Sequence, residues 1–166
     1  MWKTILSFFE GASNTSSPSG AEHNQAATTA TPAIPVLALV LSDPDRELLT
    51  KIGRRDQLEL RFTESCGEAW SLANQLEASI IFCDRDLPGT EWRDLVQILA
   101  SAPQRPSVIL TSRVVDDYLR QEVIRNGGYD VLAKPLREED VVRSVRLARS
   151  YWNSAKKRAP PLEHYR

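Results

Sequence analysis

The stretch Ser79–Gly89 reads SIIFCDRDLPG and gives the strongest indication of the fold. Its residues Ile80–Cys83 are apolar and β-prone, which predicts a buried strand that ends at the carboxylate of Asp84. The following Leu87-Pro88-Gly89 predicts a sharp turn of the backbone. A strand that ends in an acid places that acid at the edge of a sheet, where open α/β sheets bind their ligands.

The composition is that of an ordinary globular protein, with 42% hydrophobic and 26% charged residues in 166. That length is sufficient for one domain with a sizeable core. Because 21 basic residues face 22 acidic ones, the net charge of -1 excludes a general electrostatic attraction to nucleic acid. We therefore expect no nucleic-acid partner.

The two cysteines, Cys66 and Cys83, form no C-x-x-C motif and have no flanking histidines. This pattern argues against a disulfide framework or a zinc site and predicts reduced thiols. The sequence also lacks an apolar run of about 18 residues, so we predict no transmembrane segment and a cytoplasmic protein.

The N-terminal region differs in composition from the rest of the chain. Residues 2–9 carry an apolar stripe at helical spacing, which predicts a short amphipathic helix, either a docking segment or a largely unstructured terminus. Residues 11–35 are rich in Ser, Thr, Ala and Pro and predict a flexible linker. We accordingly divide the chain into residues 1–34 as this N-terminal part, 35–152 as the globular domain and 153–166 as a loose tail.

Five short apolar runs alternate with five helical stripes along residues 36–152. The strands are predicted at 36–41, 58–62, 80–83, 107–111 and 129–133. The first helix is predicted to begin at Pro44, with Asp43 as its N-cap, and to stop near Gly53; the last runs from Glu138 to Trp152. Such alternation predicts a flavodoxin-like (βα)5 three-layer sandwich with a five-stranded parallel sheet.

Right-handed crossovers bring the carboxyl ends of all five strands to one edge of this sheet. The polar residues that follow those ends include Asp43, Asp84, Thr111 and Lys134. Two carboxylates at a partly hydrated edge favour a hard cation such as Mg²⁺. A phosphoryl group on Asp84 would find hydrogen-bond and charge partners in the Thr111 hydroxyl and the Lys134 ammonium. These residue types predict a phospho-aspartate site.

Three segments carry a resemblance to a known family: Asp84–Gly89 (DRDLPG), Thr111-Ser112, and Asn126–Pro135 (NGGYDVLAKP). In order and spacing they resemble the receiver domain of bacterial two-component response regulators, which are CheY-like phosphoproteins. The resemblance covers residues 35–152. It implies a single-domain receiver in phosphorelay signal transduction.

The resemblance assigns roles to individual residues. It implies that Asp84 is the phosphoacceptor, Thr111 the switch hydroxyl and Lys134 the phosphate-contacting lysine, with a cis Lys134-Pro135 peptide bond. It also implies a Mg²⁺ site formed by Asp43, Asp84 and the backbone carbonyl of Asp86.

The implied partners are a histidine kinase or a histidine phosphotransfer protein, and an unidentified effector that binds the face around residues 113–136. The sequence contains no P-loop, G-x-G-x-x-G, G-x-S-x-G or H-E-x-x-H motif. We therefore predict a signalling domain rather than an enzyme.

Two positions depart from the family pattern. Receivers end their first strand with two adjacent acids, and here that pair falls on Ser42-Asp43 or Leu41-Ser42, which weakens the predicted Mg²⁺ site. The switch aromatic falls on Val131, with Tyr129 two residues earlier and expected on the same face of the strand. These departures leave an alternative, a pseudo-receiver that acts as a phosphorylation-independent protein-interaction module.

Overall fold

The computed structural model describes residues 32–158. The helix predicted at 2–9, the linker up to residue 31 and the end of the tail lie outside the described residues. The described elements alternate strictly between strand and helix. They are β1 Ile34–Leu39, α1 Asp43–Asp56, β2 Leu58–Phe62, α2 Cys66–Gln75, β3 Ile80–Asp84, α3 Trp92–Ala100, β4 Ser107–Ser112, α4 Asp117–Arg125, β5 Asp130–Ala133 and α5 Glu138–Arg158.

The five strands form one parallel sheet in the order β2-β1-β3-β4-β5. Alternate residues of each central strand enter two separate apolar clusters, one on each face. In β1, Leu37 and Leu39 pack with α2, α3 and α4, whereas Val36 and Ala38 pack with α1 and α5. Burial on both faces explains the uninterrupted apolar runs of the sequence. The predicted (βα)5 three-layer sandwich is confirmed.

Strand β1 ends two residues earlier than predicted. Its pairing with β3 stops at Leu39 opposite Cys83. The backbone N–H of Leu41 instead donates to the Asp84 carboxylate, 2.9 Å away, and the Leu41 side chain is exposed. The chain therefore leaves the sheet before the apolar run of the sequence is over.

The prediction that Asp43 caps α1 is wrong, because Ser42 is the N-cap residue and Asp43 is already helical. The Ser42 carbonyl accepts the first helical hydrogen bond, from Arg46 N–H at 3.0 Å. The helix also passes through Gly53, which is buried on the side facing β2, and ends when Gln57 adopts a left-handed conformation with φ 56°. A glycine in a helical pattern can therefore allow close packing of the helix against a sheet instead of ending the helix.

Helix α5 extends to Arg158, so the predicted loose tail begins too early at 153. The physical reason is that no glycine or proline interrupts the sequence between Trp152 and Pro160. The boundaries of β2, β3, β4 and β5 agree with the predicted strands to within one residue, whereas β1 begins at Ile34, two residues before its predicted start and inside the predicted linker. Among the helices of residues 32–158, none is long and apolar enough to cross a membrane.

Candidate functional site

Asp84 is the last residue of β3, and its side chain is only 4% exposed. The register between β3 and β4 sets Asp84 directly beside Thr111. The Thr111 hydroxyl donates to Asp84 Oδ1, and Lys134 Nζ lies 2.9 Å from both Oδ1 and Oδ2. Leu41 N–H donates to Oδ2. The fold thus brings together three of the four residues that the sequence predicted at this edge, and Asp43 is not among them.

Lys134 follows β5 directly, and its backbone N–H donates to the Ser112 carbonyl at 2.9 Å, which continues the pairing between β5 and β4. The Lys134-Pro135 peptide bond is cis, as predicted. The Lys134 side chain is 14% exposed. Its ammonium group is therefore partly withdrawn from solvent and depends on protein carboxylates for its partners.

Asp45 belongs to the same group, although sequence reasoning did not select it. Its Oδ2 lies 3.1 Å from Lys134 Nζ, and its Oδ1 accepts a hydrogen bond from Leu136 N–H at 3.0 Å. Asp45 precedes Leu49 by four residues and Ile52 by seven, so it lies on the buried face of α1. A carboxylate at an apolar helical position was the sequence signal that could have revealed it.

One lysine is the shared cationic partner of the two acids in this cluster. Two carboxylates, Asp45 and Asp84, are buried, and the single ammonium of Lys134 lies between them. A buried carboxylate without a counter-charge is costly, so the Lys134 ammonium offsets part of the cost of burying both acids.

Cys83 is adjacent to this cluster in sequence but points into the core. Its burial, reinforced by the negative charge of Asp84, raises the pKa of the Cys83 thiol well above the ordinary value. The thiol is therefore neutral and unreactive at physiological pH. Both cysteines are free, as predicted.

A small pocket of about 230 Å³ opens onto Asp84. It is lined by Leu41, Ser42, Asp84, Arg85, Asp86, Thr111, Arg113 and Lys134. Asp43, by contrast, is exposed on the first turn of α1 and lines a different groove, with Arg46 and Thr50. At the end of the first strand, Leu41 and Ser42 occupy the pocket rather than an acid.

The oxygen donors of this pocket do not fit Mg²⁺. Asp84 supplies its one buried carboxylate, and both oxygens of that group already accept hydrogen bonds. Within residues 32–158, no group of three or more acidic, histidine or cysteine side chains is arranged to hold a metal ion. The three basic side chains that line the pocket would repel a divalent cation. Mg²⁺ prefers several oxygen ligands with at least one or two carboxylates free to bind it.

The position of the switch aromatic is also altered. Val131 is buried in the apolar cluster beneath α4, and its carbonyl accepts from Arg120 at 3.3 Å. Tyr129 does not lie on the same face as Val131, contrary to expectation, because it packs against the apolar cluster on the α1 and α5 side of the sheet. Tyr129 instead contacts Tyr151 of α5, with ring centroids 5.8 Å apart.

Comparison with known proteins gives one consistent result. The family model described as the response regulator receiver domain matches residues 42–146. No curated protein matches the chain.

Three solved structures illustrate the similarity of fold. A response regulator from Thermotoga maritima is 19% identical, with a TM-score of 0.64, covering 71% of this chain and 98% of its own. Chemotaxis protein CheY4 of Vibrio cholerae is 18% identical, with a TM-score of 0.63 and coverages of 70% and 98%. The signal receiver domain of an HD domain-containing protein from Pseudomonas fluorescens Pf-5 is 20% identical, with a TM-score of 0.70 and coverages of 79% and 97%. Identities this low establish a common fold and nothing more specific.

Proposed function

The chain belongs to the response regulator receiver domain family, and from this premise we propose that it accepts a phosphoryl group on Asp84. The observation that carries the proposal is the set of contacts around that carboxylate. A hydroxyl, from Thr111, and an ammonium, from Lys134, both contact Asp84 at the wall of an open pocket. These are the groups that a phosphoryl group on Asp84 would need as hydrogen-bond donors.

The proposed reaction is a direct transfer between two nucleophiles. One carboxylate oxygen of Asp84 attacks the phosphorus of a phosphohistidine on a kinase or phosphotransfer protein. A P–O bond to Asp84 forms while the P–N bond breaks, and the histidine nitrogen keeps the electron pair. Lys134 neutralises the charge that the phosphoryl oxygens bring, and Thr111 donates a hydrogen bond to one of them.

Receiver domains typically bind Mg²⁺ at their acidic pocket. The sequence predicted such a site, weakened, from Asp43, Asp84 and the Asp86 carbonyl. Because the donors around Asp84 do not fit that ion, we assign no step of the transfer to it.

We further propose that the signal leaves through the face formed by β4, α4 and β5, at residues 113–136. Val114 and Tyr118 are large apolar side chains that are mostly exposed on this face, which supports a protein partner. The Ser112 hydroxyl bonds to the backbone of Val114, at 2.7 Å to its carbonyl and 3.2 Å to its N–H. A change at Thr111 would therefore reach Val114 through the adjacent residue and shift the population of two states of this face.

The proposal is tested by incubating the full-length protein with acetyl phosphate, with and without Mg²⁺, and separating the products on a phosphate-affinity gel. We expect labelling of the wild type and none of Asp84→Asn, because the amide is not a nucleophile. Asp43→Asn is the matched control and should be labelled like the wild type, since Asp43 lies outside the pocket. If neither acetyl phosphate nor a phosphorylated phosphotransfer protein labels the wild type, the proposal is wrong and the domain is a phosphorylation-independent interaction module.

A further inference from the structure

The pocket above Asp84 is lined by more positive than negative side chains. Arg85 directly follows Asp84, and Arg113 lies two residues after Thr111. Neither guanidinium forms an ion pair or side-chain hydrogen bond with any residue between 32 and 158. Together with Lys134, they put three cationic groups around one pocket of about 230 Å³.

The buried acid beside this pocket is not available to a metal ion. Asp45 is buried and already contacts Lys134, and its other oxygen accepts from Leu136 N–H. The exposed side chain of Asp86 is the remaining carboxylate that lines the pocket. Where an acidic pair would face the cation, the chain has the apolar side chain of Leu41 and the hydroxyl of Ser42.

Building on the proposed function, we infer that this receiver holds its phosphoryl group without a divalent cation, using Lys134, Arg85 and Arg113 instead. A phosphoryl group carries about two negative charges near neutral pH. Three cationic side chains match those two charges and the charge of buried Asp45, while the charge of the exposed Asp86 carboxylate is screened by solvent. The planar guanidinium group also matches the geometry of phosphate oxygens and can donate two parallel hydrogen bonds. The positive charge that Mg²⁺ would supply is thus already built into the side chains of this pocket.

The ammonium of Lys134 has a second part in this arrangement. It contacts both Asp45 and Asp84, so it lies between two carboxylates, which is the electrostatic position of a bridging cation. Asp45 is a positioning residue here, because it contacts the Lys134 ammonium and does not line the pocket. This leaves the open side of Asp84 to the phosphoryl donor and the two arginines.

The first test measures metal dependence on the full-length protein. Acetyl phosphate should label the wild type equally in excess EDTA and in Mg²⁺, and calorimetric titration with MgCl₂ alone should show no binding. The double variant Leu41→Asp/Ser42→Asp restores an acidic pair, so it should bind Mg²⁺ and be labelled only in its presence. Labelling of the wild type that requires Mg²⁺, or Mg²⁺ binding by the wild type, would overturn the inference and leave the proposed function intact.

The second test measures the two guanidinium groups. Arg85→Ala/Arg113→Ala should lower labelling in EDTA by about tenfold or more, the loss expected when hydrogen bonds between charged groups are removed. Arg54→Ala is the matched control, because Arg54 is exposed on α1 and lies outside this pocket. Unchanged labelling of Arg85→Ala/Arg113→Ala would contradict the role of the two arginines. If the wild type is labelled under none of these conditions, both the proposed function and this inference are wrong.

Discussion

Lys134 is the residue on which the chemistry and the stability of the site both depend. Its ammonium is the common partner of two buried carboxylates. Leu136 N–H donates to Asp45 Oδ1, but nitrogen donors from the backbone do not supply the full positive charge that a buried carboxylate needs. Removing the Lys134 ammonium therefore leaves both Asp45 and Asp84 without their cationic partner.

We predict that Lys134→Met destabilises the fold by about 3–5 kcal/mol at neutral pH, because it leaves buried carboxylates without a counter-charge. Lys134→Met/Asp45→Leu should recover part of that loss, since one of the two unpaired acids is gone. Urea-induced unfolding followed by circular dichroism measures both.

Lys51→Met provides the matched comparison for this lysine. Lys51 pairs with Glu138 on the surface, with its own side chain 69% exposed, and such pairs contribute about 0–1 kcal/mol. Equal unfolding free energies for Lys134→Met and Lys51→Met would contradict the importance assigned to the buried ammonium.

At the scale of the elements, the turn between α4 and β5 determines how Lys134 is delivered. Gly127 adopts a φ of +87°, a left-handed conformation that glycine takes without strain. Gly128 N–H donates to the Val123 carbonyl at 2.8 Å, and Tyr129 N–H then donates to Val108 at 2.7 Å. The chain passes from helix to strand within these residues, so a side chain at position 128 would be crowded by Val123 near the end of α4.

Gly128→Ala should destabilise the domain by about 1–3 kcal/mol, the usual effect of inserting a methyl group into a packed site. The added Cβ would lie 2.4 Å from Val123 Cγ1 and 3.0 Å from the Val123 carbonyl. Gly67→Ala is the control, because a Cβ there meets nothing closer than 3.7 Å and the residue is helical. Thermal unfolding should show a lower midpoint for Gly128→Ala alone. A similar midpoint for both variants would show that α4 can move to accommodate the methyl group.

At the scale of the whole molecule, two apolar clusters stabilise the sheet from its two faces. One contains residues of α2, α3 and α4, and the other contains residues of α1 and α5. Among residues 32–158, the members of the two clusters all lie between Ile34 and Ala148. The core and the candidate site therefore belong to one continuous part of the chain.

We predict that a fragment of residues 32–158 unfolds in one cooperative transition, at the same urea midpoint as the full-length protein, because it retains both clusters. It should also be labelled by acetyl phosphate to the same extent. Urea unfolding monitored by two probes, tryptophan fluorescence and far-UV circular dichroism, measures the cooperativity. A lower midpoint or a second transition would mean that residues outside this range contribute to the stability of the domain.

The sequence by itself was sufficient to predict the architecture and to identify the three residues nearest to the proposed chemistry. Parallel strands buried on both faces require continuous apolar runs, so the alternation of such runs with helical stripes predicted the fold. Asp84, Thr111 and Lys134 each end a strand or follow one, and crossover handedness then brings them to the same edge. Local pattern and chain direction determine these features.

Only the tertiary structure decided which other groups join them. The spacing of α1 can mark Asp45 as a buried position, but no local pattern predicts its contact with the backbone of Leu136, which is 91 residues away. Ser42 and Asp43 are equally good helix caps by residue type. In the structure Ser42 is the N-cap residue, and the preceding Leu41 donates its N–H to Asp84. The same contact sets Leu41 and Ser42, rather than Asp43, beside the pocket. Long-range contacts thus determine the charge of the site, because they decide which side chains lie close to the Asp84 carboxylate, whose own position at the sheet edge was predictable from the sequence.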